Sequence, residues 1–450
     1  MGLLLLVAPA PAAELPAGVP IERVAAASDP GQAYALYLPE RLDRARPAPI
    51  VYLLDARGRA LLPLERFRAA AEATGTVLAS SYGSRSDEPG DPNLPALQAM
   101  WADTRARLSI DDRRVYLAGF SGTARAACTL ADLAPGRIAG VIASGAGFPL
   151  GRPPRRDTPF LYFAAVGETD FNYSEMRALD RALGGLGLPY RLEVFEGGHD
   201  WMPEETAVAA LRWMELRANG RAADPALREA QWRRDAWRAA GLEDAGRAFE
   251  ARRQWAWMAR DFDGLRDVAV ARARAEALAP AALEDGRQRL AGERREERMI
   301  RDARQALGRA LARDGGSWSS GRIVSRMQIE PLRKRAGTGT EDGRAALRVL
   351  NAVFVQAAFY LPRDARDRGD HERAALFLSV AAAIRPEDAQ VWYRLAAAES
   401  LAGRPRQAVE ALRHSLDAGF TDGGRLAADP DFDRVRRDPG FRGLAARLGR

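Results

Sequence analysis

The 450-residue sequence has one cysteine, Cys128, one lysine, Lys334, and three histidines, His199, His371 and His414. A single thiol excludes an intrachain disulfide and a cysteine-ligated zinc cluster. The histidines fall in no metal-ligand spacing, there is no HExxH, and no glycine-rich phosphate loop occurs, so neither a metal nor another cofactor is expected. With lysine nearly missing, the formal net charge of +7 rests on 66 arginines. They are interleaved with acids, as in Glu293-Arg-Arg-Glu-Glu-Arg298, which reads as a solvated, ion-paired surface rather than a nucleic-acid face. No apolar run approaches the roughly 18 residues of a membrane span, so a soluble protein without a transmembrane segment is expected. The apolar run Gly2–Ala8 is too short to span a bilayer and precedes Pro9-Ala-Pro-Ala-Ala13, whose small residues resemble a signal-peptidase site. Residues 1–13 are read as a signal peptide and the product as periplasmic or secreted; the alternative is a tail on a cytoplasmic protein.

What is present divides into two styles. From residue 20 to 218, short apolar runs at 34–38, 49–54, 76–80, 114–118, 138–143, 160–165 and 191–195 alternate with helix patterns at 61–73, 95–108, 122–133, 174–185 and 204–218. Continuous apolar strands separated by helices predict a doubly wound, mostly parallel α/β sheet. After 218 the strand runs stop. Residues 219–335 read as a helical linker domain, broken by Gly315–Gly321 and followed by a second loop at Ala336–Thr340. Residues 345–450 read as all-α helical repeats: Gly369, Ala374, Leu378, Ala381 and Pro386 are matched 34 residues later by Gly403, Ala408, Leu412, Ser415 and Phe420. That period resembles tetratricopeptide helix pairs, whose concave face by resemblance often binds a peptide or a protein partner; a structural cap or dimer surface is the other reading.

The chemistry-bearing residues fall in the first style. Gly119-Phe-Ser-Gly-Thr123 lies where strand 114–118 gives way to a helix, a place where glycines let a sharp turn lift the Ser121 hydroxyl clear of the sheet. Asp170, in Gly167-Glu-Thr-Asp, and His199, in Gly197-Gly-His-Asp, each follow a strand. Serine, acid, histidine is the chain order of an α/β-hydrolase, and His199 is the only histidine before residue 371. Glu168 and Asp200 are weaker choices for the acid. Tyr82 and Arg85, in the polar stretch after strand 76–80, and Trp201, beside the histidine, are candidate substrate-binding residues.

Gly-Phe-Ser-Gly, Gly-x-x-Asp and Gly-Gly-His together resemble the esterase-like branch of the α/β-hydrolases, which includes feruloyl esterases and polyhydroxyalkanoate depolymerases, over residues 25–218. The resemblance implies Ser121 as nucleophile, His199 as general base and Asp170 as the residue that orients the imidazole, acting on a small-molecule or polymer-derived ester. It also implies an oxyanion hole, for which Gly122 N–H and Arg57 N–H are the expected donors. The sequence departs from the family at Thr123, where glycine is usual and whose side chain predicts a helix held farther from the strand. It departs again at Asp55-Ala-Arg-Gly58, where His-Gly is usual. The short stretch between 144 and 160 predicts a small lid or none. An inactive hydrolase scaffold acting through its helical repeats, a peptidase and an acyltransferase remain open alternatives.

Overall fold

A computed structural model describes residues 15–86, 88, 90–311 and 319–448. The signal-peptide reading at residues 1–13 and most of the Gly315–Gly321 loop lie outside them. The chain divides into two compact units, residues 1–290 and 291–450.

The first unit is built on eight strands: β1 (Ile21–Ala26), β2 (Asp29–Tyr37), β3 (Ala48–Leu54), β4 (Val77–Ser81), β5 (Ile110–Phe120), β6 (Gly140–Ser144), β7 (Leu161–Gly167) and β8 (Tyr190–Phe195). Five helices alternate with them: α1 (Leu61–Thr74), α2 (Asn93–Arg107), α3 (Gly122–Leu133), α4 (Tyr173–Leu186) and α5 (Glu204–Asn219). The sheet order is β1-β2-β4-β3-β5-β6-β7-β8, with β2 antiparallel to both neighbours and every pair from β4 and β3 through β8 parallel. This is the α/β-hydrolase arrangement.

Central strands are buried on both faces, which is why they read as continuous apolar runs. Alternation sorts β3 cleanly: Ile50, Tyr52 and Leu54 join the core under α2, α3 and α4, while Val51 and Leu53 join the core under α1 and α5. β1 had no strand signal, because only its Val24 and Ala26 are buried.

Three more helices belong to this unit: α6 (Pro225–Asp244), α7 (Ala248–Asp261) and α8 (Ala269–Ala277). The division therefore falls at 290 rather than at the expected 218. The physical reason lies at β8, the open edge of the sheet. Its carbonyls at Tyr190, Leu192 and Val194 accept from Arg260, Arg253 and Arg238, at 3.2, 3.4 and 3.0 Å. On the same strand the buried Arg191 donates to Asp235 on α6 at 2.7 Å and to Asp261 on α7 at 3.0 Å. Buried Glu193 accepts from Arg234. An exposed strand edge invites pairing with other chains, and here guanidinium groups satisfy it.

The chain passes within α9 (Ala279–Leu311) into the second unit, which is all helix: α10 (Ser320–Arg326), α11 (Ile329–Ala336), α12 (Glu341–Val355), α13 (Leu361–Asp367), α14 (His371–Ile384), α15 (Ala389–Leu401), α16 (Pro405–Asp417), α17 (Gly423–Ala428) and α18 (Pro439–Leu448). Gly369, at φ +73°, follows α13, and Gly403, at φ +72°, follows α15, each with the same pair of bonds. Gly369 N–H and Asp370 N–H donate to Arg366 and Ala365, and Gly403 N–H and Arg404 N–H donate to Ser400 and Glu399. The helix running through α12 and α13, Glu341–Asp367, corrects one expectation: by length and composition it is apolar enough to cross a membrane. More than half of its apolar window is buried inside the unit, as in a core helix.

Candidate active site

β5 ends at Phe120 and α3 begins at Gly122, so Ser121 occupies the corner between them, at φ 58° and ψ −125°. Among the described residues only Ser121 and Gln328 combine a side chain with positive φ. Such backbone costs on the order of 1–3 kcal/mol and persists where its surroundings enforce it. Two glycines permit the corner. A Cβ on Gly119 would lie 2.4 Å from the Thr123 carbonyl oxygen, and one on Gly122 would lie 2.3 Å from Ser86 Cβ. The first distance corrects the expectation of a helix held away from the strand: α3 closes tightly on Gly119 with Thr123 in place. The Thr123 side chain is fully buried and points instead towards the end of β3, where its hydroxyl bonds Leu54.

The acid and the imidazole come from the loops after β7 and β8, which are stitched to each other. Glu168 N–H donates to Phe195, and both the N–H and the hydroxyl of Thr169 donate to the Gly197 carbonyl, at 3.0 and 2.8 Å. A Cβ on Gly167 would collide with Gly198 O at 2.1 Å, so glycine is required for the loops to approach. Asp170 is fully buried; one of its oxygens accepts the Asn172 N–H at 2.7 Å, and Asn172 Nδ2 reaches back to the Gly145 carbonyl at 2.8 Å. Gly145, at φ +67°, leaves room for the pair, since a Cβ there would sit 3.2 Å from both Asp170 Oδ2 and the His199 ring.

The structure thus brings Ser121, Asp170 and His199 together. His199 Nδ1 lies 2.9 Å from both oxygens of Asp170, and Nε2 lies 2.9 Å from Ser121 Oγ. A carboxylate only accepts, so Nδ1 carries the proton and Nε2 accepts from the serine hydroxyl. Phe120 and Phe171 flank the imidazole, with ring centroids 4.7 and 4.1 Å away. Cys128 does not compete as a nucleophile: it is buried in α3, and burial pushes its thiol far above the usual range. Among the described residues no group of three or more His, Cys, Asp or Glu side chains converges as a metal would need.

The remaining candidates divide. Gly122 N–H sits in the first turn of α3, where backbone donors have no intrahelical acceptor and the helix dipole is positive. Arg57 N–H is not available: it donates to Asp55 Oδ1 at 2.9 Å. Asp55 is wholly buried and also accepts from the Arg59 side chain and from Trp201 Nε1, at 2.8 Å. Burial alone would raise its carboxyl pKa, but these donors outweigh burial and hold it below the ordinary value.

Trp201 is therefore core rather than pocket wall, 1 % exposed and packed against Phe67 and Phe120. Tyr82 is tied elsewhere, its hydroxyl donating to Glu22 on β1 at 2.7 Å. Arg85 braces its own loop, with Nη1 donating to the Tyr82 and Ser84 carbonyls at 2.7 Å and packing against Gly58. Residues 145–160 contain no helix or strand. Phe171, Asn172 and Gly145 carried no sequence signal beyond their nearness to Asp170 or to a strand end.

No family model and no curated protein matches the chain. The solved structures it is similar to match about two-fifths of it. The fluorophosphonate-binding serine hydrolase F of Staphylococcus aureus, with substrate bound, is 14 % identical over 41 % of this chain and 92 % of its own, at a TM-score of 0.35. A ferulic acid esterase is 18 % identical over 43 % and 93 %, at 0.33. Est1E from Butyrivibrio proteoclasticus is 12 % identical over 42 % and 94 %, at 0.34.

Proposed function

We propose that the first unit is a serine esterase that cleaves carboxylic esters through an acyl-enzyme. The observation that carries this reading is the continuous hydrogen-bonded chain from Ser121 Oγ through His199 to buried Asp170, with Ser121 held in strained backbone at the strand-to-helix corner. Ser121 Oγ attacks the acyl carbonyl carbon as His199 Nε2 takes its proton. Asp170 keeps Nδ1 protonated and stabilises the imidazolium. The tetrahedral oxyanion collapses, His199 protonates the departing alkoxide, and the acyl group stays on Ser121. Water, deprotonated by His199, then releases the acid. Gly122 N–H donates to the oxyanion. With Arg57 N–H held by Asp55, the adjoining half-buried Ala56 takes its place as the second backbone donor.

Stopped-flow hydrolysis of short-chain nitrophenyl esters tests the reading. A burst of nitrophenol equal to the enzyme present, absent in Ser121→Ala and His199→Ala, is expected; a folded wild type without turnover on any acyl length would sink it.

The second unit is proposed to be a tetratricopeptide-like array, on the strength of the two matching turns 34 residues apart at Gly369 and Gly403.

A further inference from the structure

Thr123 stands where the β3–β5 ladder stops. The last paired residues of these strands are Leu54 and Gly119. Just beyond them on β5, Phe120 N–H donates to Thr123 Oγ1 at 3.1 Å. The single hydroxyl proton lies between the Leu54 carbonyl and the Phe120 carbonyl, the latter 2.8 Å away. One side chain thus bridges the two strands at their last rung: Phe120 N–H, the Thr123 hydroxyl, Leu54 C=O.

That rung separates two segments with different jobs. On one side Phe120 leads into Ser121 and Gly122; on the other Leu54 leads into Asp55 and Ala56. Each segment is already rigid. Asp55 is fixed by the backbone N–H groups of Arg57 and Arg59 and by Trp201, and Ala56 C=O accepts from Ser86 N–H at 3.0 Å. The α3 side is fixed by the close approach to Gly119. What sets the gap between them is Thr123, fully buried, with its hydroxyl bonded to both.

We infer that Thr123 is a positioning residue that sets the spacing between the backbone donors on either side of the oxyanion. This rests on the esterase reading above. Removing the hydroxyl takes away the bridge that holds Phe120 N–H and Leu54 C=O at their present separation, and the gap between the two segments changes. A group acting on the oxyanion hole changes stabilisation of the tetrahedral state rather than capture of the ester.

The test compares wild type, Thr123→Val and Thr123→Ser by ester kinetics, affinity for an alkylboronic acid that forms a tetrahedral adduct on Ser121, and Tm. Loss of a full oxyanion donor costs about 10²–10³ in kcat, so a displaced one is expected to cost about 10–100-fold in Thr123→Val. KM should hold, boronate affinity should fall in parallel, and Thr123→Ser should recover most of both. Unchanged kcat and boronate affinity in folded Thr123→Val, or a loss in Thr123→Ser equal to that in Thr123→Val, overturns the inference. Boronate binding without hydrolysis of any ester overturns the esterase reading alone, because the boronate comparison still reads the spacing. A wild type that binds no boronate overturns both.

Discussion

The imidazole of His199 lies against the ring of Phe171, centroids 4.1 Å apart and planes inclined by 40°, on the loop that also carries Asp170. In the proposed mechanism, the positive charge that His199 acquires as Ser121 attacks develops beside an aromatic face. Such contacts contribute about 0.5–2 kcal/mol. Phe171→Leu is expected to lower kcat by several-fold with little change in KM. An unchanged kcat in the folded variant would show the ring to be packing alone.

Asp170 should matter through the tautomer it imposes. Asp170→Asn keeps the shape but can present an amide N–H to Nδ1, leaving the proton on Nε2, where it cannot accept from Ser121. A fall of about 10⁴ in kcat is expected, with Tm close to wild type. A loss under tenfold would mean that another group orients the ring.

The cover over β8 predicts a stability effect without a catalytic one. Asp235 is wholly buried and accepts from Arg191, Arg234 and Gln231. Breaking a buried ion pair by deleting one partner costs about 3–5 kcal/mol. Asp235→Ala should lose that much in urea unfolding while its turnover per folded molecule stays at the wild-type value. An unchanged midpoint would show that α6 adds nothing to the first unit.

Acid should loosen the same edge. Burial would raise the Glu193 carboxyl pKa, but Arg234 and Arg238 outweigh burial and bring it from the usual 4.5 down to about 2. Because the folded value lies below the unfolded one, its stabilisation is complete above about pH 4.5 and drains away as pH falls towards 2. Chemical unfolding across that window should show stability falling less steeply in Glu193→Gln than in wild type. Equal slopes would contradict the role given to Glu193.

The sheet was legible because parallel strands buried on both faces are continuous apolar runs, and because glycines mark the corner at Ser121. β1 was not, since an edge strand with two buried side chains leaves too little pattern to read. Chain adjacency misled at Trp201: it follows His199 by two residues, yet its indole turns into the core to reach Asp55, 146 residues away in sequence. Arg57 failed for a related reason. A backbone donor can be assigned from its loop, but whether a neighbouring carboxylate has already taken it depends on a side-chain conformation that the sequence does not display. The first unit extends past 218 because arginines at 234, 238, 253 and 260 face β8, and in the sequence they look like any others among 66.

The measurement that bears most directly on the esterase reading is labelling of the folded protein with a fluorophosphonate, followed by peptide mass mapping. One adduct per chain on Ser121 is expected, and none in Ser121→Ala. It should form far more slowly in His199→Ala, because the serine oxygen is then no longer deprotonated as it attacks phosphorus. A folded wild type that takes no label, or takes it on another residue, would contradict Ser121 as the nucleophile.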